Sequence, residues 1–322
     1  MRASSLRLLS AAAALAVLII LPALGENSAP ARPFLNWAFL VLLYGALSQS
    51  WNLLSGFGGQ VNLGHAALFG LGALVTRLLW LQHGVSFPLA LLAGTGAAGL
   101  LGIIIGAPSL RLRGPYFAIG TLAIAEILRI TTGNLFPEVS YLPSALLNSY
   151  RLLPRYYLAL ALGVLVTLAA VWMTRSRFGY GLAAVREDED VAEALGVSAY
   201  RHKLLAFALS AVFAGLAGGV FAYYHVSFYP QFPFGPIWTF DALLITFLGG
   251  VGSVWGPWIG AGIFLLLREA LALRLVELHL LIFGILFIVM VLVFPGGFVE
   301  AWHGLVRARR EAAAARASKS VA

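Results

Sequence analysis

The stretch that decides the fold is the charged segment of residues 175–203, which reads RSRFGYGLAAVREDEDVAEALGVSAYRHK. It holds five of the chain's 13 acidic residues, and basic residues flank or interrupt them. The five are Glu187, Asp188, Glu189, Asp190 and Glu193. A segment with this many charges does not lie in the hydrocarbon of a bilayer, where each charge costs several kcal/mol. We therefore expect a water-exposed element between two membrane-spanning segments.

Within this segment, residues 187–195 favour a short helix. The run contains no glycine or proline, and its acidic residues crowd the first turn, where the positive end of the helix dipole stabilises them. Gly196 is placed to end the helix, and Val191, Ala194 and Leu195 form a small apolar face. Such a helix is either a solvated linker or a docking element for a soluble partner.

The composition of the remaining chain is that of a membrane protein. Of 322 residues, 61% are hydrophobic and only 11% are charged, whereas soluble domains carry about 25% charged residues. The absence of cysteine excludes disulfides, thiolate metal sites and a cysteine nucleophile. The net charge of +8 does not indicate nucleic-acid binding, because basic residues at the ends of membrane segments account for it.

Apolar runs alternate with short polar links on both sides of the charged segment. The first run ends near residue 24, and we expect it to be a retained span rather than a signal peptide, because the downstream chain is also apolar. The other expected segments cover residues 34–54, 55–81 with its glycine-rich first part, 87–107, 116–130, 156–174, 204–224, 240–248, 255–271 and 278–294. The sequence thus predicts an all-α polytopic membrane protein with about ten segments, a single transmembrane domain over residues 1–322.

The distribution of lysine and arginine predicts the orientation. If the N-terminus is cytoplasmic and ten segments follow, the cytoplasmic side receives fourteen of the 21 basic residues. Those fourteen are Arg2, Arg7, Arg111, Arg113, Arg175, Arg177, Arg186, Arg201, Lys203, Arg307, Arg309, Arg310, Arg316 and Lys319. The charged segment, the C-terminus and the basic tail of residues 301–322 are therefore expected in the cytoplasm, and residues 131–155 outside.

Two glycine-rich breaks interrupt the apolar pattern, at residues 55–64 and 249–256. Non-helical backbone at membrane depth is tolerated where protein or a cavity covers it, and paired interrupted segments indicate a transport pathway. One break lies in each half of the chain, so five segments per half would give two inverted halves. The candidate pathway residues are Gly56, Gly58, Gly59, Gln60, Asn62, Gly64, His65, Gly249, Gly250, Gly252 and Ser253. The alternative is that these glycines only allow close helix packing.

The sequence contains no pattern typical of an enzyme site. It has no GxxxxGK[ST] phosphate-binding loop, no HExxH motif and no Cys/His cluster, so neither ATP hydrolysis nor metal catalysis is expected in this chain. A proton- or sodium-coupled secondary transporter is the alternative from another class, but such proteins need ionisable residues inside their spans. Glu126 has Arg129 three residues away, which indicates a structural ion pair, and Asp241 is expected at an interface.

Five blocks of the chain, in order, resemble the M-type permease family of branched-chain amino acid ABC transporters (LivM family). The blocks are SWNLLSGFGGQVNLGHAALFGLGA, RLRGPYFAIGTLAIAEILR, FGYGLAAVREDEDVAEALGVSAYRHKLLAFALSAVFAGLAGGVFA, LLITFLGGVGSVWGPWIGA and FPGGF, and they cover roughly residues 34–300. The resemblance implies an importer subunit in the bacterial inner (plasma) membrane for branched-chain, hydrophobic amino acids. A permease for urea, amides or another small polar solute is the nearer alternative.

The resemblance also implies partners. Such permeases pair with a second homologous permease, two cytoplasmic ATPase subunits that use ATP, and an extracytoplasmic solute-binding protein. This chain itself is expected to bind no cofactor and no metal. The charged segment then corresponds to the ATPase-docking loop, with Arg186, Glu187, Asp188, Glu189, Asp190, Glu193, Ala194, Leu195 and Gly196 as docking residues. Its Glu-Ala-Leu-Gly run resembles, with shorter spacing, the Glu-Ala-Ala…Gly motif of importer permeases.

Overall fold

The computed structural model describes residues 31–112 and 114–272, together with residues 18, 22, 284 and 285. The expected first and last segments and the basic tail lie largely or wholly outside the described residues. The helices of residues 31–112 are α1 (Ala31–Gly58), α2 (His65–Leu81) and α3 (Phe87–Ser109). Those of residues 114–272 are α4 (Pro115–Leu135), α5 (Ser144–Asn148), α6 (Leu152–Arg175), α7 (Arg177–Glu187), α8 (Glu189–Ala194), α9 (Ala199–Tyr224), α10 (Ile237–Gly249) and α11 (Gly256–Ala272).

Four of these helices, α3, α4, α6 and α9, are long and apolar enough to cross a membrane. The helices α2 and α10 are apolar but shorter. A two-residue antiparallel ribbon joins β1 (Ser140–Tyr141) to β2 (Ser227–Phe228), and residues 232–234 form a 3₁₀ turn. The prediction of an all-α membrane protein is thereby confirmed, whereas the number of ten segments stays a prediction.

Helix α1 lies at the centre of the described fold and packs against α6, α9, α10 and α11. Its middle carries four fully buried polar residues, Ser48, Gln49, Ser50 and Asn52, within an otherwise apolar core. Glycine lets neighbouring helices approach closely: a Cβ on Gly45 would collide with the ring of Trp258 on α11. A second layer forms where α9 packs on α2 and α3, and a Cβ on Gly218 would collide with the carbonyl of Phe69.

The helix ends differ from the expected ones in a consistent direction, since most helices are longer than their apolar runs. Helix α1 continues through residues 55–58, which the sequence had placed in the first break, so that break is residues 59–64. Gly249 still belongs to α10 and Gly256 opens α11, so the second break is residues 250–255. Glycine was overvalued as a helix breaker at these positions, because tertiary packing overrides its low helix propensity.

The two ends of the bundle can be distinguished by the helix termini that meet there. We name the Arg186 face after the end that holds the last turn of α1, the break of residues 250–255 and the start of α9. At this face the Tyr200 hydroxyl, in the first turn of α9, donates to the Ala107 carbonyl near the end of α3, 3.2 Å away. We name the Arg77 face after the opposite end, where α2 and α9 finish and the β1–β2 ribbon lies.

Candidate functional site

The two glycine breaks meet at the Arg186 face, although about 190 positions separate them along the chain. A single side-chain amide makes the junction: Asn52 Nδ2 donates to the Ser253 carbonyl at 2.9 Å, and the Gly252 N–H donates to Asn52 Oδ1 at 2.8 Å. The Ser253 hydroxyl then accepts from the Gly256 N–H at 2.8 Å and caps α11. The second break is therefore fixed to the last turns of α1.

Arg186 joins the charged segment to this junction. From the last turn of α7 its Nη1 donates to the Gly56 carbonyl in the last turn of α1. A Cβ on Gly59 would lie 3.0 Å from Arg186 Cγ, and a Cβ on Gly252 would lie 2.9 Å from Arg186 Nη1. The Arg186 side chain thus lies beside Gly59 of the first break and Gly252 of the second, so predicted docking residues and predicted pathway residues meet in space.

The buried part of the first break is tightly packed. Trp51 Nε1 donates to the Asn62 carbonyl at 2.8 Å, and the Gly64 N–H donates to Asn62 Oδ1 at 2.8 Å. His65 Nε2 lies 2.8 Å from the Ser50 hydroxyl, and a Cβ on Gly64 would collide with the Thr121 carbonyl. Protein encloses Asn62, Gly64 and His65. At this end of the break, the residues therefore serve close packing and the start of α2.

The other predicted pathway residues lie nearer the surface. Gly59 is exposed with φ +70° and Gln60 is half-buried, while Gly252 combines φ +75° with partial exposure. Gly250 has φ 126° and is buried. At the helical positions, Gly58 packs on Leu182 of α7 and Gly249 packs on the Gly256 carbonyl, so both serve contact between elements.

The charged segment consists of two short helices rather than the one expected over residues 187–195. Asp188 separates them, and its carboxylate accepts from the Val191 N–H at 2.9 Å, which caps α8. Gly196 ends α8 as expected. Its φ of +87° turns the chain back, so that the Val197 N–H donates to the Ala192 carbonyl at 2.9 Å. A cap at Asp188 stabilises α8 and interrupts continuous helix at the same point.

The residues of the expected apolar face of this segment are exposed at the protein surface. Val191 is 55% exposed and Leu195 is 79% exposed, and Ala194 is exposed beside them. The contact to the protein is made instead by Ala192 with Val185 and Ala199. Val191 and Leu195 are thus exposed apolar side chains on a charged helix, as the docking hypothesis requires.

One of the predicted docking residues has an internal role. Glu189 forms an ion pair with Lys203, whose side chain is only 3% exposed, in the first turns of α9. A buried ammonium requires such a partner. Glu189 and Lys203 are 14 positions apart in the sequence. Because the sequence does not show that the chain turns back at Gly196, we did not predict this pair.

At the Arg77 face a second arginine organises the structure, and the sequence analysis did not single it out. Arg77 on α2 is 1% exposed and donates five hydrogen bonds of 2.8–3.2 Å. The acceptors are the carbonyls of Ala222, His225, Val226 and Ser140 and the hydroxyl of Ser140. A lone arginine inside an apolar helix was the available signal, because such a charge must find buried partners.

The loops beside Arg77 are tied down by further backbone contacts. The Tyr150 hydroxyl donates to the Tyr224 carbonyl at 2.9 Å, and the Arg155 guanidinium lies 3.7 Å from the centre of the Tyr150 ring. Burial raises the pKa of Tyr150, so its hydroxyl remains a donor. Among residues 31–112 and 114–272, no three His, Asp or Glu side chains group as possible metal ligands.

Comparison with known proteins identifies the family of this chain. The sequence profile of the family described as "Branched-chain amino acid transport system / permease component" matches residues 33–291, which is most of the chain. The chain belongs to this family. The resemblance noted in the sequence is therefore confirmed, and the chain is a membrane transport component rather than an enzyme.

Individual relatives agree with the family. The high-affinity branched-chain amino acid transport system permease protein LivM of Escherichia coli is 31% identical over 88% of this chain and 73% of the relative. Its counterpart in Salmonella typhimurium is 31% identical over 83% and 70%. A probable branched-chain amino acid transport permease protein LivM of Methanocaldococcus jannaschii is 26% identical over 80% and 90%. No solved structure matches the chain significantly.

Proposed function

We propose that this chain is the M-type permease subunit of a binding-protein-dependent ABC importer for branched-chain amino acids. Membership of the permease family and similarity to the LivM proteins support the transport role and the substrate class. They do not favour a urea or amide permease or an ion-coupled transporter. In this proposal a second homologous permease completes the pathway, two ATPase subunits hydrolyse ATP, and an extracytoplasmic protein delivers the amino acid.

The orientation follows from the charges. The Arg186 face carries the charged segment, so we place it in the cytoplasm of the bacterial inner membrane, with the Arg77 face outside. Both chain termini are then cytoplasmic. The loops held by Arg77 and Tyr150 would form the surface that the binding protein meets, and the α7–α8 segment would meet the ATPase.

The observation that carries the proposal is the contact of Arg186 with both glycine breaks. A soluble motor acts on a membrane pathway only if a mechanical connection joins its docking site to the part that moves. Arg186 lies within the charged segment, and its Nη1 donates to Gly56 at the end of α1. Its Cγ lies beside Gly59 of the first break, and its Nη1 lies beside Gly252 of the second. Movement of α7 and α8 by an ATPase would therefore reach the backbone of both breaks directly.

We also propose that the two halves of the chain have inverted topology. Each half contains one shortened apolar helix beside its break, α2 with 17 residues and α10 with 13. The first turns of these two helices meet inside the protein, where the Ala66 N–H donates to the Thr239 hydroxyl at 2.8 Å. Discontinuous helices whose N-termini converge near the middle of the membrane are typical of transporters built from inverted repeats.

The decisive experiment is uptake by the reconstituted complex. The chain is purified with its permease partner and ATPases, placed in liposomes, and supplied with the binding protein and radiolabelled leucine. We expect uptake to require ATP on the side of the membrane that carries the ATPases, and the binding protein on the opposite side. Uptake that follows a proton or sodium gradient without nucleotide would contradict the proposal.

The docking surface can be tested separately by substituting its exposed apolar residues. Leu195→Asp places a charge in the apolar patch, so we expect the ATPase to dissociate during purification and uptake to fall at least tenfold. Leu112→Asp is the matched control, because Leu112 is an exposed leucine, 43% accessible, in the turn after α3. Equal ATPase retention by both variants would show that α8 is not the docking site.

A further inference from the structure

A cavity of about 510 Å³ opens toward the Arg77 face between α1, α9, α10 and α11. Its wall combines aromatic rings with a few polar groups, among them Trp37, Tyr44, Tyr224, His225, Trp238 and Arg268. Both this size and this mixture are typical of sites for small molecules, which lie in apolar clefts with a small number of placed polar groups. The glycine breaks lie near the opposite face, so the cavity is distinct from the pathway residues predicted from the sequence.

The cavity wall carries the guanidinium of Arg268, and two neighbouring side chains fix its orientation. Arg268 Nη1 donates to the Tyr44 hydroxyl at 2.7 Å and lies 3.9 Å from Asp241 Oδ2. Asp241 is buried, with 9% exposure, and it lies in the second turn of α10 rather than at the start of the segment. Both contacts use Nη1, and the Arg268 side chain is 46% exposed, so the remaining donors of its fork can meet a planar carboxylate.

The same wall also offers an anion and a vacant donor. Glu269, the next residue on α11, also lines the cavity and provides a carboxylate in the same wall. The indole Nε1 of Trp37 is buried and has no acceptor. A donor without an acceptor favours a ligand oxygen that can accept from it, and a turn of the Trp37 ring would bring this N–H to the cavity.

Between these polar groups the wall is aromatic. Trp238 stacks on Tyr44 with ring centres 5.4 Å apart and meets Phe221 edge-on at 4.9 Å. Such rings form a rigid apolar surface that also attracts an ammonium group over its face. The cavity therefore presents, within one space, a site for a carboxylate, a site for an ammonium and an apolar wall.

We propose that this cavity binds the free zwitterionic amino acid on its way from the binding protein into the pathway. Arg268 and the Trp37 indole receive the carboxylate, Glu269 and the aromatic faces receive the ammonium, and the aliphatic side chain lies on Trp238 and Phe221. The proposal rests on the importer function proposed above and adds a substrate site within the permease itself. Two opposite charges beside an apolar wall select a zwitterion with an apolar side chain over a simple anion.

Equilibrium binding in the absence of the binding protein tests the site. The full complex of permeases and ATPases is placed in nanodiscs, and binding of tritiated leucine is measured together with competition by two analogues. Isocaproate lacks the ammonium and isoamylamine lacks the carboxylate. We expect weak but saturable leucine binding at millimolar concentration, reduced competition by both analogues, and quenching of tryptophan fluorescence on binding.

Variants separate the site from a merely structural role of its residues. We expect Arg268→Gln to weaken leucine binding by about tenfold or more, because a charged hydrogen bond is lost. Trp37→Phe keeps the ring and removes the unpartnered N–H, so it should weaken binding severalfold and serves as the second test if Arg268→Gln does not assemble. The matched control is the double substitution Glu126→Gln with Arg129→Gln, which removes an ion pair on α4 away from the cavity.

The outcomes distinguish this proposal from the importer function. If wild-type complex binds no leucine at millimolar concentration but still transports it with ATP and the binding protein, the cavity is not a substrate site and the importer function stands. Isoamylamine competing as well as leucine, or both cavity variants binding with wild-type affinity, would also overturn the proposal. Absence of uptake with all partners present would instead contradict the importer function.

Discussion

The two faces of this permease are each held by an arginine that donates to backbone carbonyls, yet the two arginines are held very differently. Arg77 is 1% exposed and reaches carbonyls on β1, at the end of α9 and in the link between α9 and β2. Arg186 is exposed and donates to one carbonyl, that of Gly56. A buried guanidinium whose N–H donors all have acceptors holds the neighbouring backbone in place. An exposed guanidinium with one acceptor can break its hydrogen bond at small free-energy cost, because water replaces the acceptor.

In the proposed importer, this difference matches the work of each face. The outer face would keep a fixed shape, because the backbone contacts of Arg77 orient the loops of residues 136–151 and 225–236. The face proposed to meet the ATPase would move during each cycle, and its connection would break and re-form. Rigidity at one end and a releasable contact at the other would let ATP hydrolysis move the glycine breaks without disturbing the outer surface.

The largest effect is expected at Arg77. Arg77→Gln leaves up to four carbonyls without a buried donor, at about 1–3 kcal/mol each, so the chain should lose most of its folded population. The measurement is the amount of monodisperse chain in detergent by fluorescence-detected size exclusion, together with its unfolding temperature.

Arg77→Lys is the matched control for this prediction. Lysine retains the charge but not the planar fork, so we expect an intermediate loss. Full folding of Arg77→Gln would show that the outer loops are held by other contacts, and the contrast between the two faces would disappear.

A smaller but still structural effect is expected within the first break. A side chain on Gly64 collides with the backbone of Thr121, so Gly64→Val should reduce assembled complex severalfold. A side chain on Gly59 meets only the flexible Arg186 side chain, although φ +70° adds strain. We therefore expect Gly59→Val to leave most of the complex assembled while uptake per complex is lost.

Assembled complex and uptake are measured in the same membranes, and Gly250→Val belongs with Gly59→Val in this test. Replacement of a leucine in the last predicted span, residues 278–294, is the control and should have much less effect. If Gly59→Val and Gly250→Val lose complex in proportion to uptake, these glycines serve packing alone, which is the alternative that the sequence left open.

The sequence was sufficient for the class of the protein and for the location of its functional segments. Low charge, apolar runs and five family-like blocks identified a membrane permease, and the isolated acids at residues 187–190 identified the charged segment that we propose as the docking element. These signals are local in the chain, and local composition is what a single sequence displays. The helix ends were less predictable, because tertiary contacts keep Gly56 and Gly58 helical.

The contacts across the chain could not be predicted. Nothing in the sequence shows that Asn52 holds Gly252 and Ser253, or that Glu189 neutralises Lys203, because each pair depends on how the helices fold back on one another. The cavity around Arg268 has the same origin, since four separate helices contribute to its wall. Charged residues inside apolar runs, such as Arg77 and Arg268, were the available signal for these sites.

An intermediate effect is expected at Arg186, where folding and activity should separate. Arg186→Gln removes the charged contact with the Gly56 carbonyl from an exposed position, so we expect normal assembly. Uptake per complex should fall about tenfold while ATP hydrolysis continues, because coupling between distant sites is typically of this size. Arg177→Gln, in the first turn of the same helix α7, is the control for loss of charge alone. Retained uptake in Arg186→Gln would show that the motor acts on the breaks through another contact.

The smallest effect is expected at a third kind of arginine. Arg129 pairs with Glu126 on the same helix, three residues away, and donates through Nε at 2.8 Å and through Nη2. Within the part of the chain that the structure describes, this guanidinium bonds only within its own helix, and the two side chains are 31% and 41% exposed. The double substitution Glu126→Gln with Arg129→Gln should therefore leave assembly and uptake within about twofold of wild type.

Arg129→Gln alone should reduce assembly and uptake more than the double variant does, because it leaves the carboxylate of an apolar helix without its cation. The comparison is made by assembled complex and initial uptake rate for the three variants. A double variant as damaging as Arg77→Gln would mean that burial and the number of backbone acceptors do not determine what an arginine contributes to this fold.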